Sequence, residues 1–477
     1  MDRDPHEHSH HDTTIGIRTC ASRATVLIDN ASYFAAAADA MRKAKRSIWI
    51  LGWQFDPRTL LEPDRSDQRL GDLLKDLAEQ KPRLEIRVLI WNASLLIALA
   101  KDGMPQRAAA WFTGSRVRFQ LDRSAPFGAS RHQKLLVVDD TLGFCSGEDF
   151  APERWDDQRH IEGNPLRSRA GGKPVPPRHG TTLMVEGDIA GLLAEEARLR
   201  WREATGVAVA AVPLPERAGS YWPEDIQPGF TDVPVRMTRT SPQTALTGAI
   251  RENEALFLAL IAEAEKLIYI ENQYFTCRKI RDALAARLQE PDGPEIILVI
   301  GLTAPSYFDA LVMDPVRDVL LRELIAADRF GRFRVFSPTA KDGTPIVAHS
   351  KLMIIDDRKL RIGSSNLSQR SFGYDTECDL TIELDETDPR LKDLAALLAT
   401  LLGHFVGQSA EVTADAIARS GSVCTALESL DPSGRRLTPL KPLPRGPLAG
   451  LINRYGIGDP ASTGDAWRPW RRRGSKG

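Results

Sequence analysis

A short order of residues that occurs twice constrains this chain more than any other feature. The stretch "HQKLLVVDD" begins at His132 and "HSKLMIIDD" at His349, each reading His, one residue, Lys, four residues, Asp. The copies lie 217 residues apart (349 minus 132), a domain length and not a solenoid period. Their neighbours recur in the same order. "SYFAAAADAMRKAKRSIWILGWQFDP" (32–57) reads as a helix with a basic end followed by an apolar strand, and "NEALFLALIAEAEKLIYIENQYFT" (253–276) repeats that plan. "LEIRVLIW" (84–91) and "PEIILVIGL" (294–302) then supply short apolar runs of the kind that fill a sheet covered on both faces. Helices alternating with such strands predict an α/β fold of two similar α-β-α halves. Each half is expected to hold a mixed sheet flanked by helices, the two packed about a pseudo-twofold axis with one shared active site.

Composition sets the boundaries. We expect a polar, His-rich, disordered leader over 1–21, a first half over 22–215, a Pro/Gly-rich linker over 216–232 and a second half over 233–410. An extension over 411–477 ends in the basic "WRPWRRRGSKG". Lys plus Arg total 63 against 64 Asp plus Glu, so no global basic field gathers nucleic acid. Cys20, Cys145, Cys277, Cys378 and Cys424 are odd in number and widely spaced, which points to buried free thiols rather than a zinc site or a disulfide framework. No apolar run reaches membrane-span length, and "MDRDPHEHSHHDTT" has neither a basic n-region nor an apolar h-region. A cytoplasmic or membrane-peripheral location is the expectation, with export open only by a route without a signal.

Histidine is scarce. Of nine, His6, His8, His10 and His11 crowd the leader, and two of the remaining five head the repeated motif. Side chains alternate along a strand, so His132 shares a face with Lys134, and His349 with Lys351. Singly, each pair would be ordinary solvated surface; together in one cleft, two imidazoles and two ammonium groups suit a phosphate. One neutral imidazole can attack phosphorus while the other, protonated, donates to the leaving oxygen. The lysines then hold the non-bridging oxygens. This scheme needs no metal or other cofactor, and no HExxH, EF-hand loop or dense carboxylate cluster lies near the motifs. The turn "GSSN" (363–366) offers Ser365 and Asn366 as further donors to phosphate. The matching "SGED" (146–149) puts Asp149 in the place of Asn366. An ionised carboxylate aimed at phosphate would repel it, so Asp149 is expected to turn to a lysine or histidine at the edge of the substrate site.

Both motifs, the GSxN-type turn and the segments "GWQFDP" (52–57), "RWDD" (154–157), "IENQYF" (270–275) and "IGSSNLSQRSFGYDTE" (362–377) resemble the phospholipase D superfamily. The resemblance implies that His132 is the nucleophile, forming a phosphohistidine, and that His349 is the general acid that later activates water. Spacing alone does not fix that order. It further implies Lys134, Lys351, Asn366 and Ser365 as phosphate ligands, Glu377 as the group orienting His132, and Asp156 or Asp157 as the group orienting His349. Asp139, Asp356 and Gly363 are implied to be structural. Relatives that act on phospholipids often read "WHD" where this chain has "RHG" (178–180), so His179 keeps the histidine and Gly180 lacks the acid. His179 is expected either to line the headgroup pocket or to be a structural histidine, and His160 shares that status.

The implied activity is hydrolysis of glycerophospholipids to phosphatidate and free headgroup alcohol at a membrane surface, with water or a small alcohol as acceptor. Two alternatives stay open: a cardiolipin synthase-like phosphatidyltransferase, and a nuclease using the same two-histidine site. A nuclease is expected to carry a basic groove flanked by aromatics, and no such run lies beside either motif. With both motifs in one chain, a monomer without an obligate nucleic-acid partner is expected. Trp53, Trp222 and the Trp/Arg tail are candidates for touching a bilayer.

Overall fold

The computed structural model describes residues 15–92, 104–169, 171–212, 221–304, 307–434, 436–443 and 458–462. Most of the expected leader, the first part of the expected linker and the Trp/Arg tail lie outside the described residues.

The strands of the first half are β1 (Ile17–Ile28), β2 (Ser47–Gly52), β3 (Glu85–Trp91), β4 (Arg118–Asp122), β5 (Leu135–Val138), β6 (Leu142–Ser146), β7 (Arg178–His179) and β8 (Thr181–Glu186). Those of the second are β9 (Phe230–Ser241), β10 (Ile250–Arg251), β11 (Leu267–Asn272), β12 (Glu295–Ile300), β13 (Phe333–Pro338), β14 (Val347–Ala348), β15 (Leu352–Ile355), β16 (Lys359–Gly363) and β17 (Glu377–Glu383). A late strand, β18 (Leu437–Pro439), comes from the C-terminal extension. From one edge the sheet runs β4-β3-β2-β5-β6-β8-β1, and from the other, inside β18, it runs β13-β12-β11-β15-β16-β17-β9. The outer pairs β2/β3, β3/β4, β11/β12 and β12/β13 are parallel and the inner ones antiparallel. Strand order and polarity thus repeat between the halves. Instead of two separate sheets, β1 and β9 pair antiparallel and fuse them into one mixed sheet of sixteen strands. That pairing starts at Ile17, so strand β1 reaches into the segment expected to be leader.

Period-two alternation in the strands explains the layering. Ile48 and Ile50 of β2 pack with the helices Asn30–Lys43 and Leu70–Gln80, while Trp49 and Leu51 face the opposite core. Strand β11 does the same, with Ile268 and Ile270 on one side and Leu267 and Tyr269 on the other. The face shared by both halves is covered by the helices Asp188–Thr205 and Leu391–Val406, whose Leu193, Ala197, Leu398 and Leu402 enter one continuous core. Trp222 is buried in the first-half core, and its indole N–H donates to the Ile226 carbonyl, so it does not present itself to a bilayer. Four cysteines are buried and free; Cys20, on β1, is exposed rather than buried. No described helix is long and apolar enough to cross a membrane.

Candidate active site

The two motif aspartates show how the site is scaffolded. Strands β5 and β6, and likewise β15 and β16, are joined by tight turns whose first two residues, Asp139 with Asp140 and Asp356 with Asp357, all have φ between 51° and 55°. Short polar side chains tolerate this left-handed region. From there Asp139 accepts the backbone N–H groups of Lys45, Arg46 and Ser47 at 2.8, 2.7 and 2.6 Å, which sets the start of β2. Asp356 accepts those of Glu265, Lys266 and Leu267 at 2.6, 2.7 and 2.7 Å, setting the start of β11. Gly363 has no room for a side chain, since a Cβ there would collide with the Asp379 carboxylate.

The His and Lys of each motif sit in the segment leading into β5 or β15, one step before the ladder begins. Each is pinned by the opposite half: the His132 N–H donates to the Thr376 carbonyl at 2.9 Å, and the His349 N–H to the His179 carbonyl at 2.8 Å. The imidazoles are held across the halves as well. His132 Nδ1 lies 3.0 Å from Glu377 Oε2, and His349 Nδ1 lies 3.1 Å from Glu148 Oε1. Each histidine therefore meets a fully buried carboxylate from the other half, which leaves its Nε2 for chemistry or for Arg154, whose Nη1 is 3.4 Å from His349 Nε2.

Glu377 stands where the resemblance put it, and is itself held by the Ser364 and Ser371 hydroxyls at 2.5 and 2.7 Å. The place implied for Asp156 or Asp157 is not beside His349. Asp156 accepts from His160 Nδ1, Arg167 Nη1 and the Arg178 N–H at 2.9, 2.6 and 2.7 Å, and these bonds saturate it in a buried loop. Asp157 pairs with Arg159. Glu148, which sequence reasoning missed, faces His349 instead, steadied by Arg178 at 3.3 Å and Arg154 at 3.5 Å. The signal that points to it is the glycine at 180: a Cβ on Gly180 would lie 3.0 Å from Glu148 Cγ. The strand position that follows the cross-half bond is an acid in one half, Glu377, and empty in the other, Gly180, and Glu148 fills the space from the turn.

The lysines complete the cluster. Lys134 Nζ donates to the His132 carbonyl at 2.7 Å and faces Asp149 at 3.7 Å; Lys351 Nζ donates to the His349 carbonyl at 2.7 Å and to Gln273 Oε1 at 3.0 Å. Asp149 also accepts the N–H groups of Trp53 and Gln54, so it turns toward lysine and backbone. The Ser365 hydroxyl accepts from Asn253 Nδ2 at 3.0 Å in a buried setting, a bond that leaves its own O–H to donate. Asn366 keeps a buried side-chain oxygen, Oδ1, without a hydrogen-bond partner. His179 does not line a headgroup pocket: it is wholly buried, with Nδ1 2.9 Å from Asp29 and Nε2 2.8 Å from Glu271. Burial opposes its charge, but Glu271 and Asp29 raise its pKa to about 10.

Electrostatics couple the two motifs. Burial, then Lys134 and Lys351, push the His132 imidazole well below its ordinary 6.5. Burial, then Lys351, Arg178, Arg154 and Lys134, do the same to His349. Burial likewise drives the Glu377 carboxyl up and Lys351 down. Such a cluster holds excess positive charge in a dry place, and an anionic phosphate entering it relieves the repulsion. A cavity of 620 Å³ lined by Arg46, Arg83, Glu85, Arg116 and Arg118 lies away from the motifs and contains none of their residues.

Known proteins resemble this chain in sequence and in fold. Residues 257–395 match a family described as "Cardiolipin synthase, PLD-like domain". Phospholipase D2 of Bos taurus is 24% identical over 466 residues, covering 76% of this chain and 50% of the relative. Phospholipase D A of Dictyostelium discoideum is 24% identical over 458 residues, covering 79% of this chain and 34% of the relative. Phospholipase D alpha 4 of Arabidopsis thaliana is 23% identical over 490 residues, with 80% and 64% covered. The chain thus spans between a third and two-thirds of the length of these curated relatives. Among solved structures, the phosphatidylserine synthase of Haemophilus influenzae Rd KW20 shares the fold with a TM-score of 0.58 at 15% identity, over 82% of this chain and 88% of that one.

Proposed function

Because the chain belongs to the phospholipase D superfamily, we propose that it is a phosphodiesterase that cleaves glycerophospholipids through a covalent phosphohistidine. The observation that carries this reading is the crossed arrangement of carboxylates: Glu377 holds His132 and Glu148 holds His349, each across the halves. His132 Nδ1 faces Glu377, and His349 Nδ1 lies 3.1 Å from both Glu148 Oε1 and Lys351 Nζ, which aims the two rings for paired nucleophilic and acid–base work.

His132 Nε2 attacks phosphorus and the bond from phosphorus to the headgroup oxygen breaks. That oxygen takes a proton from His349, and the headgroup alcohol leaves. Water then enters, gives a proton to His349 and attacks phosphorus; the P–N bond breaks and phosphatidate is released. Lys134, Lys351 and Asn366 hold the non-bridging oxygens. An alcohol taking the place of water yields a phosphatidyl ester, and the match to a family described as cardiolipin synthase favours such transfer as a second reading. Both motifs lie in one chain, so a monomer suffices.

The test is turnover of mixed phospholipid vesicles with a little ethanol, read by mass spectrometry. Phosphatidate or phosphatidylethanol that disappears in both His132→Asn and His349→Asn is the expected result, and their ratio ranks hydrolysis against transfer. Near-normal turnover in either variant removes the two-histidine mechanism. Cleavage of DNA or a generic phosphodiester, with no lipid product, moves the assignment to a nuclease.

A further inference from the structure

Beside the reaction centre, and not used by it, three potential metal ligands from distant parts of the chain converge. Asp29 directly follows β1, His160 lies in the loop after Asp156, and His404 is in the last turn of the helix Leu391–Val406 of the second half. His160 Nε2 is 3.0 Å from His404 Nε2, and Asp29 Oδ2 is 3.4 Å from the former and 3.5 Å from the latter. Ligand atoms around a tetrahedral ion with metal–ligand bonds of about 2.0–2.1 Å stand about 3.3 Å apart. All three side chains are largely or wholly shielded, with relative exposures of 0% for Asp29, 5% for His160 and 9% for His404.

The hydrogen bonds around the triangle leave its inner corners unfilled. His160 Nδ1 faces Asp156 Oδ2 at 2.9 Å, which makes Nδ1 the donor and turns the lone pair of Nε2 inward. Asp29 Oδ1 is occupied by His179 Nδ1, whereas Asp29 Oδ2 is buried with no hydrogen-bond partner. Both nitrogens of His179 are taken by carboxylates, so it braces Asp29 without joining the triangle. A proton shared between His160 and His404 would answer the 3.0 Å contact but leave Asp29 Oδ2 orphaned, a costly state for a buried carboxylate oxygen. One cation satisfies all three atoms.

We propose that Asp29, His160 and His404 bind a divalent transition metal, with Zn²⁺ the best match to two imidazoles and one carboxylate. A cavity of 160 Å³ opens onto His160 and His404, giving a route in and room for water as the fourth ligand. The ion fastens the central strand β1 and the loop after the first motif to a helix of the second half. Through His179, whose carbonyl accepts the His349 N–H, it also steadies the entry to the second motif. It is a fastening between halves and takes no part in the bond-breaking steps.

The experiment uses the full chain with His6, His8, His10 and His11 changed to Ser, so that the leader does not compete for metal. After stripping with a chelator, the protein is titrated with Co²⁺ and Zn²⁺ and followed by visible absorption, elemental analysis and thermal melting. We expect one equivalent bound, intense tetrahedral cobalt bands, a raised melting temperature, and loss of all three in His404→Gln. Binding that is absent, that gives only weak octahedral bands, or that persists unchanged in His404→Gln overturns the site. Should His404→Gln fail to fold, the cobalt spectrum of the parent decides alone.

Discussion

The two halves reach the same end by different means, and the comparison of their histidine partners shows how. In the second half an acid follows the cross-half backbone bond directly, as Glu377 on β17, with Ser364 and Ser371 holding it in place. In the first half that strand position is Gly180, and the carboxylate arrives from the turn after β6 as Glu148, held by two arginines instead of two hydroxyls. A catalytic geometry is thus specified by where a carboxylate ends, not by which position of the chain carries it. One side has a rigid, hydroxyl-bonded support; the other has a longer reach steadied by charge.

The strongest way to break this comparison is to remove the two acids in turn. Glu377→Gln leaves shape but removes the carboxyl that can ionise beside His132 as the ring becomes cationic, and kcat should fall by about 10²–10⁴-fold, the usual worth of acid–base assistance. Glu148→Gln should cost less, on the order of 10-fold to 10²-fold, because Arg154 and Arg178 remain to order the pocket. A kcat for Glu148→Gln equal to that of the unaltered chain would show that His349 needs no partner. Transposition sharpens the point. Gly180→Asp alone should destabilise the fold, as its Cβ meets Glu148 at 3.0 Å and two carboxylates then share one space. Combined with Glu148→Ala, the same Gly180→Asp should regain part of the activity that Glu148→Ala loses, measured as initial rates on vesicles. No recovery would mean that the two positions are not interchangeable.

A second difference lies in charge. His132 is depressed by burial and by Lys134 and Lys351, whereas His349 also feels Arg178 and Arg154. The unfolded chain binds protons at both histidines from 6.5 downward while the folded chain resists, so stability is complete above that pH and declines as pH falls through it toward the folded pKa values. Lys134→Met removes one of the cations acting on His132, and the ring should then titrate at higher pH in imidazole ¹⁵N NMR. A ring that titrates where it did before would assign the depression to burial and Lys351 without Lys134.

How much of this was legible in the sequence depends on the kind of signal. The duplicated motif, the alternating strands and the fold class are carried by periodic, local patterns, and the strand order in the two halves repeats accordingly. The fusion into one sheet is not local: it rests on β1 reaching β9 across more than two hundred residues. Glu377 lies beside a motif that the resemblance covers. Glu148 does not, since it occupies the variable position of the turn, and only the space left at Gly180 exposes it. Asp156 was misplaced for a physical reason of the same kind. A carboxylate near a motif in sequence is free to serve it only if nothing closer claims it, and Arg167, His160 and the Arg178 N–H do.

The smallest expected effects concern the motif aspartates, which differ in burial though not in design. Each accepts three backbone N–H groups at the start of the neighbouring strand, but those of Asp139 grade from part-buried to buried while those of Asp356 are mostly exposed. Orphaned donors cost more where water cannot replace the lost acceptor. Asp139→Ala should therefore lower unfolding free energy by about 1–3 kcal/mol, and Asp356→Ala by less, as read from urea midpoints at constant m-value. Both replacements also place a Cβ without a polar tip in the left-handed region, a penalty common to the two that cancels in their difference. Burial then decides the sign of what remains. Equal losses would show that the halves are scaffolded alike and that their asymmetry is confined to the partners of the histidines.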